Sequence, residues 1–178
     1  MLADFSLIMI EFFKKLLPSK GLDDKEDEPI PLRSSNSPSW LMPDRYRTKK
    51  IDETVVITCL ESPNIAMKIQ KGKVVNSVAA RKSPERTIYL DGAAAGEPFM
   101  DHDRQIYNLD HHEGVERSFT LSTCEQSMVM VRRGINLKEK NWTIYANEPD
   151  LDTLLAIWIL LNHIHLTAER SHVFAEIM

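Results

Sequence analysis

Hydrophobic and polar positions divide this chain into three regimes. Residues 2–17 are apolar almost throughout, with Asp4 and Glu11 interrupting the run, Lys14 and Lys15 near its end and Pro18 after it. Acids early and bases late suit a helix dipole, so the pattern predicts an N-terminal helix over residues 1–18. The run is too short and too charged to span a bilayer, and no basic segment or small-residue cleavage site marks it as a signal peptide. It reads as a helix packed on the domain or on a partner subunit, with an interfacial membrane helix as the alternative.

The second regime, residues 19–50, has a polar, linker-like composition. An acidic run (Asp23, Asp24, Lys25, Glu26, Asp27, Glu28) leads into a segment rich in Pro and Ser, then into Arg45, Arg47, Lys49 and Lys50 around Tyr46. Such a stretch cannot bury enough apolar surface to fix one conformation, and the basic run reads as a solvated edge.

From residue 51 short apolar runs alternate with turn signals. Residues 55–60 (Val-Val-Ile-Thr-Cys-Leu) form a buried-strand candidate. Residues 65–69 and 74–80 are expected to be further strands, with Lys71-Gly72 turning the chain between them. Thr87-Ile88-Tyr89-Leu90 leads to Asp91, and Ile106-Tyr107-Asn108-Leu109 leads to Asp110, so twice a short apolar strand ends in an aspartate. Ser122-Thr123-Cys124-Glu125 has the form of a capping box, and the helix it opens reaches Arg132 and Arg133 before Gly134. Residues 141–146 read as a strand, and residues 153–161 as a helix apolar on all sides. The expected architecture is α/β: a Rossmann-like, mostly parallel sheet with flanking helices over residues 51–178, preceded by the N-terminal helix and linker.

Composition changes this picture little. At 178 residues, 43% hydrophobic and 27% charged, the chain suits one globular domain with a sizeable core. A formal charge of −4 and a pI near 5.9 give no global electrostatic reason to bind nucleic acid. Cys59 and Cys124 lie far apart without CxxC spacing, which points to a reduced, cytosolic setting rather than a disulfide scaffold.

Candidate chemistry concentrates in residues 99–113. Asp101, His102 and Asp103 precede the apolar segment 106–109, and Asp110, His111 and His112 follow it. Carboxylate oxygen with imidazole nitrogen suits manganese, iron or zinc. Adjacent histidines at a strand end are expected to point to opposite sides. A second acidic motif, Asp150-Leu151-Asp152, stands before the apolar helix; its carboxylates could reach metal ions, or either could cap that helix.

Leu109-Asp110-His111-His112-Glu113 resembles the signature of the DHH phosphoesterase superfamily, and Asn147-Glu148-Pro149-Asp150-Leu151-Asp152 is similar to its Asn-x-Pro-Asp-x-Asp element. Ser122-Thr123-Cys124-Glu125 looks like the small-residue segment that opens the family's next helix. The resemblance spans residues 90–161. It implies an α/β sheet and a two-manganese centre that hydrolyses phosphodiesters or phosphoanhydrides, with Mg²⁺ as an alternative ion. Three features depart from the family's pattern. The Asp-x-Asp element follows the DHH motif instead of preceding it, Ala146 stands where a histidine is usual, and no linking domain follows.

On this resemblance Asp101, His102, Asp110, His111, Asp150 and Asp152 would ligate the metals, with His112 and Glu125 in catalytic support. The substrate would be a phosphorylated small molecule or a nucleotide; nucleic acid is not indicated by charge. The competing expectations are a nucleotide- or partner-binding module without turnover, or a piece of a longer enzyme.

Overall fold

The computed structural model describes residues 45–51 and 53–166. The expected N-terminal helix, the acidic run and most of the linker lie outside the described residues. Seven strands form one mixed sheet: β1 (Tyr46–Ile51), β2 (Thr54–Cys59), β3 (Ser62–Ile69), β4 (Thr87–Leu90), β5 (Phe99–Asp101), β6 (Ile106–Leu109) and β7 (Trp142–Ala146). Their spatial order is β1-β2-β3-β7-β4-β6-β5. The four central strands, β3, β7, β4 and β6, run parallel. The β1–β2–β3 meander on one side and β5 on the other pair antiparallel. The expectation of an α/β sheet holds, but parallel pairing is confined to the centre.

Burial explains which runs became central. All four residues of β4 and all four of β6 are buried, as a strand covered on both faces requires. In β7 the pattern alternates, with Trp142, Ile144 and Ala146 buried and Thr143 and Tyr145 half-buried. One sheet face carries the main core, where Ile57, Met67, Ile88, Leu109 and Ile144 pack against two helices. These are α2 (Thr123–Arg132) and α3 (Leu151–Leu161). Burying each large aliphatic side chain of α3, such as Ile157 or Leu160, contributes about 1.5–3 kcal/mol. The other face has a smaller cluster of Ala80, Tyr89, Ala93, Ala94, Phe99 and Ile106 beneath a short helix, α1 (Ser77–Arg81).

The helix ends follow the sequence signals. Ser122 accepts from the Glu125 N–H while Glu125 accepts from the Ser122 N–H, completing the capping box of α2. At its other end Gly134 takes φ +84°. The Ile135 N–H reaches Met130 O at 3.2 Å and the Gly134 N–H reaches Val131 O at 3.1 Å, a Schellman closure. Asp150 caps α3, accepting from the Thr153 N–H at 3.0 Å.

Three local expectations are corrected. Residues 74–80 do not form a strand: Val75 makes a single bridge to Ala94, and Ser77–Arg81 is helical. The Asn76 side chain accepts from the Ala79 N–H at 2.9 Å, and this cap with two alanines outweighs the valines. The basic run assigned to the linker is largely strand β1, exposed along the sheet edge. Its first arginine is not solvated: Arg45 is buried against Glu61 and His165. No helix among the described residues is long and apolar enough to cross a membrane.

Candidate metal centre

The candidate site lies at the carboxyl ends of three neighbouring parallel strands, where ligands gather in open α/β sheets. Asp91 follows β4 directly, Asp110 follows β6, and Asp150 and Asp152 follow β7 at the start of α3. Because β4 sits between β7 and β6, its aspartate is central to the group.

Asp91 takes φ +48°, in the left-handed region that aspartate tolerates better than most residues. Its side chain is 5% exposed. One carboxylate oxygen lies 2.7 Å from His112 Nε2 and 3.5 Å from His111 Nε2; the Thr123 hydroxyl donates to it at 3.4 Å. The other accepts from the Thr153 hydroxyl. One donor atom from each of Asp91, His111 and His112 falls within 4.8 Å of the others. Ligands around an ion at about 2.1 Å are themselves about 3–4 Å apart, so this spacing fits a divalent cation with small side-chain adjustments.

Asp152 stands beside them, its carboxylate 3.5 Å from His111 Nε2. The backbone N–H groups of Thr123 and Cys124, at the start of α2, donate to it at 2.7 and 2.9 Å. Burial works against the charge of Asp152, yet hydrogen bonds from the Cys124 thiol and these N–H groups hold its carboxyl below the usual range. The Cys124 thiol is pushed up to about 11, by burial first and by Asp152 second, so it acts as a protonated donor.

The adjacent histidines do not diverge as a continuing strand would make them. They follow β6 in an irregular loop, and Asp110 accepts from both the His111 and His112 N–H groups at 2.8 and 3.1 Å. That bracket curls the backbone and turns both rings toward Asp91. Gln126 ties the loop to α2 by donating to Asp110 O and Leu121 O. Gly114 lets the loop pass Glu97, where a Cβ would come within 2.7 Å of the Glu97 side chain.

The remaining sequence candidates have different places. Asp110 is buried and works as the bracket just described. Asp150 is the cap of α3. Glu125 is engaged in the capping box. Asp101 and His102 are not brought to the site. Asp101 pairs with Ile106 at the start of β6, so the four residues of that strand, roughly 13 Å, separate it from the end where His111 lies. Ala146, which the resemblance sets where a histidine would be expected, is buried in the main core. Sequence reasoning missed Asp91 as a candidate ligand, although the first of the two strands that end in an aspartate was its signal. It also missed Thr123 and Thr153, the hydroxyls that orient Asp91. No family model, curated protein or solved structure matches the chain.

Proposed function

We propose that the chain is a metal-dependent hydrolase of phosphoester or phosphoanhydride bonds, built on a Rossmann-like parallel centre. The observation that carries this reading is the convergence of Asp91, His111 and His112, with Asp152 beside them, at the carboxyl ends of β4, β6 and β7. Oxygen and imidazole donors on a rigid sheet suit Mn²⁺, and the supporting hydroxyl and N–H contacts are those that hold ligands in place. A cation held there supplies a water of lowered pKa and a counter-charge for phosphoryl oxygens.

The chain's own residues have separable tasks. Asp91, His111 and His112 bind the cation, and Asp152 completes the set or orients His111. Thr153 and Thr123 fix the Asp91 carboxylate, while Asp110 fixes the loop that carries both histidines. The two-ion centre that the resemblance implies would need further carboxylates; Asp150, which shares the Thr153 hydroxyl with Asp91, is one that stands nearby. Cys59 and Cys124, both buried free thiols, suit a reduced, cytosolic compartment.

The test is metal analysis after anaerobic purification, then Mn²⁺ add-back with bis-p-nitrophenyl phosphate and inorganic pyrophosphate. Mn²⁺-dependent turnover that disappears in Asp91→Ala is the expected result. Mn²⁺ binding with nucleotide affinity but no turnover indicates a binding module. Absence of Mn²⁺ binding in a folded protein overturns the reading.

A further inference from the structure

Among the described residues, the sheet face away from α2 and α3 is covered on one half only. Helix α1 and the turn after Asp91 lie over β4, β6 and β5. Over β2 and β3 the described residues leave a groove of about 310 Å³, lined by Lys68, Lys73, Gln70, Thr54, Tyr89 and Tyr145 among others. Strand register puts Lys49, Val56, Lys68, Tyr145 and Tyr89 in one row across five adjacent strands. Lys49 and Lys68, two strands apart, are therefore about 10 Å from each other along the row. Arg47 projects from the same face of β1 two residues before Lys49.

This face is cationic, and among the described residues its lysines meet no carboxylate; Lys68 Nζ sits over the Tyr145 ring, 5.5 Å from its centroid. Neither the groove lining nor the row contains an acid; the nearest in sequence are Asp52 and Glu53, between the lining residues Ile51 and Thr54. Lys71 pairs with Glu148 at 3.1 Å, but no ion pair among the described residues engages Lys49, Lys68 or Lys73. The chain carries a complementary run. Residues 23–28 hold five acids against one lysine, a net −4, which equals the formal charge of the entire chain. The face and the run are thus the two ends of an internal charge asymmetry.

We propose that this groove is the docking site of the chain's own acidic run, residues 23–28. Residues 29–44 connect the run to the start of β1, and when extended they reach roughly 50 Å. The seven-strand sheet is only about 29 Å wide, so the tether spans the distance with slack. A tethered segment meets its site at an effective concentration on the order of millimolar, so contacts too weak to hold a free peptide still keep the groove filled. A second copy of the face is a poor occupant, because like charges would oppose each other.

Zero-length carbodiimide cross-linking of the full chain, with mass mapping of the linked peptides, tests the proposal. Amide links are expected between carboxylates of residues 23–28 and Lys49, Lys68 or Lys73. They should fall at least fivefold in 1 M NaCl, where screening is nearly complete over ~3 Å. In an equal mixture of ¹⁵N-labelled and unlabelled protein, each link should join residues of one isotopic kind. K68Q/K73Q removes two of the three target amines and, by weakening the cationic face, should also lower the links that remain at Lys49; K138Q/K140Q should leave the links unchanged. Neutralising the run instead (D23N/D24N/E26Q/D27N/E28Q) leaves the sheet untouched and should shift the amide NMR signals of Lys68 and Tyr145. Links scattered over lysines outside the face, links of mixed isotope, or unmoved Lys68 and Tyr145 signals would each overturn the proposal.

Discussion

Two Asp–His clusters flank β6, and only one of them is joined by ligand-capable side chains from other strand ends. Asp101, His102 and Asp103 stand at its amino end; Asp110, His111 and His112 stand at its carboxyl end. At the first, Asp101 accepts from the Arg104 N–H at 3.0 Å and closes the β5–β6 turn, while His102 and Asp103 are exposed. His102 meets the Tyr107 ring edge-on, at 5.7 Å between centroids. At the second, β4, β6 and β7 each end in a segment bearing carboxylate or imidazole, and these segments meet. Residue type is nearly the same in the two clusters. The decisive difference is how many strand ends arrive beside them.

The largest effect expected from this comparison is on metal binding. Asp91→Ala removes the carboxylate that both histidines face and should weaken Mn²⁺ binding by more than about 100-fold, since outer contacts alone account for 10–100-fold. Asp101→Ala should leave affinity unchanged. Isothermal titration of both variants decides the matter: a comparable loss from Asp101→Ala would mean that the amino-end cluster contributes to the centre after all.

A smaller effect separates ligand from bracket. Asp110→Ala leaves the His111 and His112 N–H groups without their acceptor, with a stability loss of about 1–3 kcal/mol. Metal affinity should drop by about 10–100-fold, because the rings lose their orientation and not their donor atoms. Asp110→Asn keeps an acceptor oxygen and should recover part of both quantities. Urea unfolding and titration of the two variants sharpen the distinction; equal defects in Asn and Ala would make Asp110 a direct ligand.

Protonation offers a third contrast, between the two ends of α3. Near its start Asp152 is held below the usual carboxylate range. Just beyond its other end His163 is held below the usual histidine value, by burial first, with the Leu160 carbonyl opposing and the charges of Lys138 and His165 adding to the burial effect. Both native groups take up protons at lower pH than in the unfolded chain, so each stabilises the fold above its unfolded pKa and that contribution is lost as pH falls. Loss should begin below about pH 6.5 for His163 and continue near pH 4 for Asp152. His163→Gln should flatten the upper part of a urea-midpoint profile, and Asp152→Asn the lower part. A profile unchanged by either substitution would remove the assignment.

Much of this fold was legible because local signals agreed. Residues 87–90 and 106–109 were bounded as strands by their apolar runs and terminal aspartates, and Ser122 with Glu125 announced α2. Asp150 was readable as a cap from its place before an apolar helix. The site itself was only half legible. Strands β7, β4 and β6 are neighbours in an order that differs from their order along the chain, so nothing local shows that Asp91 meets His111 while Asp101 does not. Helix α1 and strand β5 span five and three residues, too few for a period to emerge above the valines and loop residues around them. The convergence of His111 and His112 depends on the Asp110 bracket, a side-chain contact that periodicity does not encode.

The smallest effect tests Glu125, which the sequence offered as a proton-transfer group and the structure places in a cap. Its carboxylate accepts from the Ser122 N–H at 2.9 Å while the Ser122 hydroxyl returns the bond to the Glu125 N–H. Ser122→Ala should therefore destabilise the protein by about 1 kcal/mol with Mn²⁺ affinity unchanged. Glu125→Gln is the more telling substitution, because glutamine completes a capping box as glutamate does but has no proton to exchange near neutral pH. A pure cap predicts parental stability and parental turnover of bis-p-nitrophenyl phosphate in Glu125→Gln. A proton-transfer role predicts parental stability with turnover lowered about 100-fold or more. Only the second outcome would extend the centre beyond the residues that β4, β6 and β7 deliver, because Glu125 belongs to the first turn of α2 and faces its own cap.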